Sequence, residues 1–229
     1  MQNSTFIKLD HLTKTYAMAK SEFIALYNVN LLFSRGEFTG LVGPSGSGKT
    51  TLLNIIGSLD TPTRGNATVL NQSVRDLNQK QSAALRNEYM GFIFQTYNLL
   101  PVYSVYENVK LPLLLLKKHT SAEMDKMIHQ ALDWVGLLDK IKSKPAQLSG
   151  GEAQRVAVAR AMVKQPLIVL ADEPTANLDY RNSHNILKTM KQLNQELGTT
   201  FIFATHDDKV IQYLNRKITL EDGRVACDE

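Results

Sequence analysis

Apolar and polar residues along the chain follow two periods. The stretch YNVNLLFSRGEFTGLVG (27–43) alternates apolar and polar positions in two short runs around Arg35 and Gly36, which predicts strands meeting at a turn. NATVL (66–70) and GFIFQ (91–95) predict further strands. From about 105 to 163 the period becomes helical. Met124, Ile128, Ala131, Leu132 and Val135 share one helical face, and Gly136 stands where that helix should stop. Strand character returns in LIVLA (167–171) and FIFAT (201–205), continuous apolar runs of the kind buried on both faces of a parallel sheet. Between them Ile186, Met190, Leu193 and Leu197 recur at helical spacing ahead of Gly198, giving a strand–helix–strand unit. KITLEDGRVAC places an Asp-Gly turn between two short runs and predicts a hairpin. The fold class expected is α/β in one domain of 229 residues, with a mainly parallel core of about 1–95 and 165–229 and a helical segment of about 96–164.

Composition narrows the setting. With 43% apolar and 21% charged residues the chain reads as an ordinary globular domain. A single cysteine, Cys227, excludes a disulfide within the chain and suits a reducing compartment. MQNSTFIKLD at the N-terminus lacks the apolar core of a secretion signal, and the longest apolar runs, such as LPLLLL (111–116), are too short to span a membrane. The net charge of +4 comes from lysines and arginines spread along the sequence, the pattern of a solvated surface.

GLVGPSGSGKTTLLNIIGSL (40–59) carries the first chemistry. Gly43, Gly48, Lys49 and Thr50 form G-x-x-x-x-G-K-T after a strand and at the start of an apolar helix, the setting of a P-loop. Gly43, Pro44, Ser45, Gly46, Ser47 and Gly48 curl the backbone so that its N–H groups face phosphates, ahead of Lys49, Thr50 and Thr51. Lys49 offsets β- and γ-phosphate charge, and the Thr50 hydroxyl is a ligand for Mg²⁺. The site is one for a nucleoside triphosphate.

Asp172 and Glu173 end the LIVLA strand, where α/β proteins place their ligands. An Asp-Glu pair on its own is ordinarily a surface pair for Lys or Arg; a P-loop upstream reverses that reading. Asp172 is placed to hold Mg²⁺, directly or through water, and Glu173 to polarise an attacking water. His206 follows the FIFAT strand in the same kind of position and is a candidate γ-phosphate contact. Gln95, after the GFIFQ strand, is a candidate to orient water or to complete the Mg²⁺ shell.

LSGGEAQR (148–155) reads at first as a helix start, with Ser149 and Glu152 at capping-box spacing. Gly150 and Gly151 are poor helix formers and leave bare backbone N–H groups that invite an anion. The chain therefore holds two phosphate-binding helix ends.

In this order, GPSGSGKT, FIFQTYNLLP, LSGGEAQR, LIVLADEPTANLD and ATHD resemble the ATP-binding-cassette (ABC) ATPases over nearly the whole chain. The resemblance implies a P-loop NTPase cassette with an N-terminal antiparallel β subdomain and a helical insertion. It implies that two copies pair head to tail, each ATP lying between one P-loop and the partner's signature, so that Ser149, Gly150 and Gly151 bind the γ-phosphate held by the other chain. By position, Tyr16 in LTKTY matches the residue that stacks on adenine, and Asp179 in ANLD the one that senses the paired site. Glu173 matches the catalytic base and His206 the γ-phosphate sensor. Ala153 departs from the longer polar residue of many relatives.

GSLDTPTRG (57–65), LRNEYMGFIFQTYNLLP (85–101) and YENVKLPLLL (106–115) look like the lipoprotein-releasing and macrolide-export cassettes, with the cell-division cassette as a cousin. That similarity implies a peripheral ATPase subunit at the cytoplasmic face of the inner membrane, working on a separate four-span permease. Residues 96–116, rich in Tyr and Leu, are either the dock for that permease or ordinary core of the helical segment. Two other classes stay open. A regulatory cassette would signal across the membrane to cell-wall enzymes. A nucleic-acid ABC ATPase is not expected, because the chain has one P-loop, no sustained heptads and no cysteines for zinc.

Overall fold

A computed structural model describes residues 6–18 and 21–229. Residues 1–5, within the N-terminal stretch read above for a secretion signal, lie outside the described residues. Two sheets and a set of helices make up the fold. The smaller sheet is antiparallel, in the order β2-β1-β4-β5, from β1 (Ile7–Met18), β2 (Ser21–Phe33), β4 (Arg64–Val69) and β5 (Gln72–Ser73). The larger follows the order β10-β9-β3-β8-β7-β6, built from β3 (Phe38–Val42), β6 (Met90–Ile93), β7 (Ile168–Asp172), β8 (Thr200–Thr205), β9 (Arg216–Glu221) and β10 (Arg224–Asp228). Every pair in it is parallel except β9 with β10. That last pair is the predicted hairpin, turning on Asp222 and Gly223, both at positive φ as a tight Asp-Gly hairpin turn requires. The runs either side of Arg35 are strands too, but they part company: β2 belongs to the small sheet and β3 to the large one.

Strand alternation sorts the core into two layers. In β7 and β8, Ile168, Leu170, Ile202 and Ala204 face the apolar cluster shared with the antiparallel sheet and helix α1 (Lys49–Ile56). Val169, Ala171, Phe201 and Phe203 face the opposite cluster. Burial on both faces is why residues 168–171 and 201–204 are apolar at every position. The second cluster also takes residues from α3 (Val105–Leu116), α4 (Ser121–Trp134), α5 (Gly150–Met162) and α6 (Tyr180–Leu197), so the helical stretch and the sheet share one continuous core. Helix α4 buries Ile128, Ala131 and Leu132 and is followed by Gly136 at φ 64, and α6 stops at Gly198, also at φ 64. Helix α2 (Gln79–Tyr89), with Leu85 its one buried residue, and strand β1 had no counterpart in the predicted elements.

The topology aligns strand ends. β3, β8 and β7 are neighbours, with β6 beyond β7, and all four point the same way. The loop that opens α1, residues 205–206, residues 172–173 and Gln95 are thereby gathered along one edge.

Candidate active site

The loop between β3 and α1 has the backbone its glycines permit. Gly43, Gly46 and Gly48 sit at φ 146, 81 and 99, a region that costs other residues strain. Two of them also have no room. A Cβ on Gly43 would lie 2.1 Å from the Leu220 carbonyl oxygen, and one on Gly48 would lie 2.5 Å from that of Ala25. Within the loop Lys49 donates to the carbonyls of Gly43 (2.7 Å) and Pro44 (2.8 Å), with Ser47 Oγ at 3.5 Å. Its ammonium is thus held in the loop's curl. Burial lowers the Lys49 pKa, against the opposing pull of Glu173 and Asp172.

Across from the loop stand the two carboxylates. Asp172, the last residue of β7, accepts from the Thr50 hydroxyl at 3.2 Å. Burial raises its carboxyl; the Thr50 hydrogen bond and Lys49 work against that shift, and Glu173 adds to it. Glu173 has left the strand, at φ 45, in a left-handed conformation that is unfavourable for a non-glycine residue and clusters at functional sites. Its N–H is tied to the Ala204 carbonyl at 2.9 Å. One carboxylate oxygen meets His206 Nδ1 at 2.6 Å, and the other accepts from the Thr205 hydroxyl at 3.1 Å. The adjacent acids therefore have separate partners.

A cleft of about 400 Å³ joins these groups. Ser45, Gly46, Gly48, Lys49, Thr50, Thr51, Gln95, Asp172, Glu173 and His206 line it together with Phe23 and Ala25 of β2. Gly43, Pro44 and Ser47 lie beneath it as the cradle of Lys49. Gln95 stands two residues beyond β6, and its carbonyl accepts from Asn177 Nδ2 at 2.9 Å. Tyr16 is not among the lining residues. It lies opposite Phe23 in the β1–β2 register, 37% exposed, with its hydroxyl donated to Asp60 at 2.8 Å. Phe23 escaped the sequence reading; its signal was an aromatic directly across the hairpin from Tyr16.

Ser149, Gly150, Gly151 and Asp179 are placed elsewhere, and none of them lines the cleft. Ser149 caps α5 through the predicted box with Glu152, and both it and Gly150 are exposed. Gly151 has a steric reason for being glycine besides any bare N–H: a Cβ there would lie 2.5 Å from Asn182 Oδ1. Asn182 Nδ2 in turn donates to Asp179 at 2.7 Å, and Asp179 caps α6 by accepting from the Asn182 N–H at 2.8 Å. Asn182 thus joins the two motifs, a role nothing in the sequence pattern announced. Arg160, further along α5, donates to the carbonyls of Tyr97 (2.6 Å) and Asn98 (2.5 Å). Both of these residues sit at positive φ, so the turn after Gln95 is held to the same helix.

On the far side of that turn lies a groove of about 490 Å³. Its walls include Leu59, Phe92, Phe94, Leu111, Pro112 and Leu115, with Arg86, Arg160 and Lys164 among the polar residues. Leu115 is 69% exposed, whereas Val105, Val109 and Leu113 of the same helix are buried in the core. Lys164 donates to the carbonyls of Arg86 and Asn87 at 3.0 and 2.5 Å, and burial lowers its pKa to about 8. The unfolded chain keeps that proton to higher pH, so the native state gains stability as pH rises through about 8 toward the ordinary lysine value. In thermal unfolding, the difference between wild type and Lys164→Met should move in favour of the wild type between about pH 7.5 and 9.5. A pH-independent difference would mean that Lys164 keeps its charge in the folded state.

Comparison with known proteins extends the picture. A model of the family described as ABC transporter matches residues 26–176. The ATP-binding protein LolD of the lipoprotein-releasing system of Francisella tularensis subsp. tularensis (strain FSC 198) is 41% identical over 223 residues, covering 97% of this chain and 96% of its own. Among solved structures, the ATP-binding cassette MJ0796, in a dimeric post-hydrolysis state bound to ADP and Pi, matches with 42% identity and a TM-score of 0.90 over 97% of both chains. The protein cbiO1 from Clostridium perfringens, part of the ABC transporter complex cbiONQ, matches with 31% identity and a TM-score of 0.87, over 98% of this chain and 88% of its own.

Proposed function

The chain belongs to the ABC transporter family, and on that premise we propose that it is the ATP-hydrolysing subunit of a transporter, working as a pair of copies on a separate membrane permease of the lipoprotein-release or drug- and peptide-export kind. The observation that carries this reading is the gathering of Lys49, Thr50, Asp172, Glu173 and His206 around one cleft, while the exposed N-terminus of α5 stands outside it. Since they do not line the cleft, those α5 donors would reach a phosphate bound there from a second copy. The dimeric state of the MJ0796 cassette supports such a pairing.

ATP would lay its phosphates in the loop of residues 43–48, against Lys49 and the N-terminus of α1. Thr50 and Asp172 offer a hydroxyl and one carboxylate oxygen 3.2 Å apart. These hard oxygen donors suit Mg²⁺, which typically takes one or two protein carboxylates and leaves the rest of its shell to water and phosphate. When bound there, Mg²⁺ would neutralise phosphate charge. Glu173 is the base that takes the proton of the attacking water, and Thr205 and His206 fix its two oxygens. Gln95 borders the same cleft, in reach of that water and of the metal shell. Ser149, Gly150 and Gly151 of the partner would close the site with N-terminal donors, and Asp179, bridged to them by Asn182, would report its state to the other site.

Among the described residues no helix is long and apolar enough to cross a membrane. A peripheral position at the cytoplasmic face of the inner membrane therefore rests on the permease, and the groove beside residues 96–116 is the surface offered to it. Leu115→Asp places a charge on this apolar wall and should lower recovery of the permease with the tagged chain by about tenfold or more, with ATP affinity retained. Wild-type recovery would move the dock elsewhere. The test of the whole reading is to tag the chain in its native cells, solubilise membranes gently and identify what co-purifies. A four-span permease with a large extracytoplasmic domain is the expected result; recovery with ribosomes or DNA-bound proteins would overturn the transport role.

A further inference from the structure

Tyr16 is held more firmly than its exposure suggests. Its hydroxyl donates to Asp60 Oδ2 at 2.8 Å. The other Asp60 oxygen accepts from Lys14 Nζ at 2.5 Å, and Lys14 also donates to the Thr61 carbonyl at 2.9 Å. The Lys14 ammonium lies 4.8 Å from the centre of the Tyr16 ring. Lys14 is 9% exposed although it carries a charge; a lysine taken that far out of water needs partners, and it has three. Burial works to raise the Asp60 carboxyl, yet the bonds from Lys14, Tyr16 and the Thr61 N–H outweigh it and hold the group ionised. The Asp60 carboxylate also accepts the Thr61 N–H at 2.7 Å, which fixes the side chain to its own loop. Asp60 lies four residues beyond the end of α1, so it ties the β1–β2 hairpin to the helix that the phosphate loop opens.

We propose that Asp60 and Lys14 are positioning residues for purine recognition. They clamp the Tyr16 ring so that it and Phe23, its neighbour across the hairpin, form a preset aromatic platform for the base of a nucleoside triphosphate. The proposal rests on the reading of the cleft as a nucleotide site. Phe23 lines the cleft and is 46% exposed; Tyr16 stands opposite it in the strand register. Base–aromatic stacking is tolerant of ring identity but needs the ring held in place. An exposed tyrosine on a hairpin would otherwise sample several rotamers, and ordering it would be charged to binding. The clamp removes that cost beforehand. The cation on one face of the ring acts with the hydroxyl bond, since a Lys–π contact fixes the plane while the hydrogen bond fixes the tip.

The test separates base from phosphate. Tyr16→Ala, Tyr16→Phe, Asp60→Ala and the double variant Tyr16→Phe/Asp60→Ala are titrated with ATP and with inorganic tripolyphosphate. Tyr16→Phe and Asp60→Ala should each weaken ATP binding by about fivefold, the worth of one hydrogen bond. The double variant should be no worse than Asp60→Ala alone, because Asp60→Ala has already broken the one Asp60 bond that Tyr16→Phe removes. Tripolyphosphate affinity should hold throughout, and the ATPase effect should fall on KM more than on kcat. If Tyr16→Ala weakens ATP binding while Tyr16→Phe and Asp60→Ala do not, the clamp is wrong and the base platform stands. Should Asp60→Ala weaken tripolyphosphate as much as ATP, Asp60 serves the phosphate loop and the proposal fails. If Tyr16→Ala leaves ATP affinity at the wild-type value, the platform itself is refuted, whatever the clamp variants do.

Discussion

Glu173→Gln should lower kcat for ATP hydrolysis by about 10²- to 10⁴-fold, the usual worth of a general base, while ATP still binds. Glutamine keeps the size of the side chain. Its amide oxygen can still accept from the Thr205 hydroxyl, which bonds the carboxylate at 3.1 Å in the native protein. The backbone at φ 45 is set by the Ala204 carbonyl and not by the side chain, so the strand end should hold its shape. What the amide cannot do is take a proton from water. The loss should therefore appear in turnover and leave the cleft's grip on phosphate intact, because that grip comes from Lys49 and the loop around it. If closure of two copies needs bound ATP and ends with hydrolysis, the variant should also accumulate as an ATP-bound dimer, visible as a doubled mass in size-exclusion chromatography. Normal turnover by Glu173→Gln would remove the residue from the role of base. A companion variant, His206→Ala, frees one oxygen of the carboxylate and should cost turnover less than the loss of the carboxylate does.

The parts of this site that could be read from the sequence are those whose spacing is dictated by backbone geometry. A P-loop needs glycines at fixed intervals because its N–H groups must converge, and Gly43 and Gly48 meet neighbouring carbonyls so closely that no other residue fits. Strands buried on both faces must be apolar throughout, so β7 and β8 announced themselves and carried Asp172 and His206 with them. The antiparallel sheet was different. β1 mixes charged and apolar residues, IKLDHLTKTYAM, with register shifts in its pairing to β2, and such irregular alternation leaves little periodic signal. Contacts between distant segments were illegible for a plainer reason. Asn182 against Gly151, Arg160 on the carbonyls of residues 97 and 98, and Asp60 on Tyr16 join stretches 31 to 63 residues apart, and no local pattern encodes them. Gly151 shows the consequence. Its neighbour Gly150 and the capping box suggested a purely electrostatic reason for two glycines, whereas a Cβ on Gly151 would also press on the Asn182 side chain of α6.

Lys49→Ala should act on the other half of the cycle and weaken ATP binding itself, by about 10- to 100-fold, since hydrogen bonds to charged groups are worth about 1.5–3 kcal/mol. In the native loop the ammonium is oriented by two carbonyls, at 2.7 and 2.8 Å, and it is 7% exposed. It enters the phosphate site already desolvated and aimed, and burial has lowered its pKa for the same reason. Its removal has a second effect. Asp172 and Glu173 lose a cation that both of them face, so the cleft becomes more hostile to a triphosphate than a simple count of bonds implies. Some affinity should survive, because the loop's N–H groups and the partial positive charge at the start of α1 remain. Equilibrium titration with ATP distinguishes this variant from Glu173→Gln: the first should bind weakly and the second should bind and stall. Unchanged affinity in Lys49→Ala would mean that the backbone alone carries the phosphates, and Lys49 would then be a brace for the loop through the carbonyls of Gly43 and Pro44. Thermal unfolding of the same variant decides that alternative, because removing a brace that ties two loop carbonyls together lowers Tm even when no nucleotide is added.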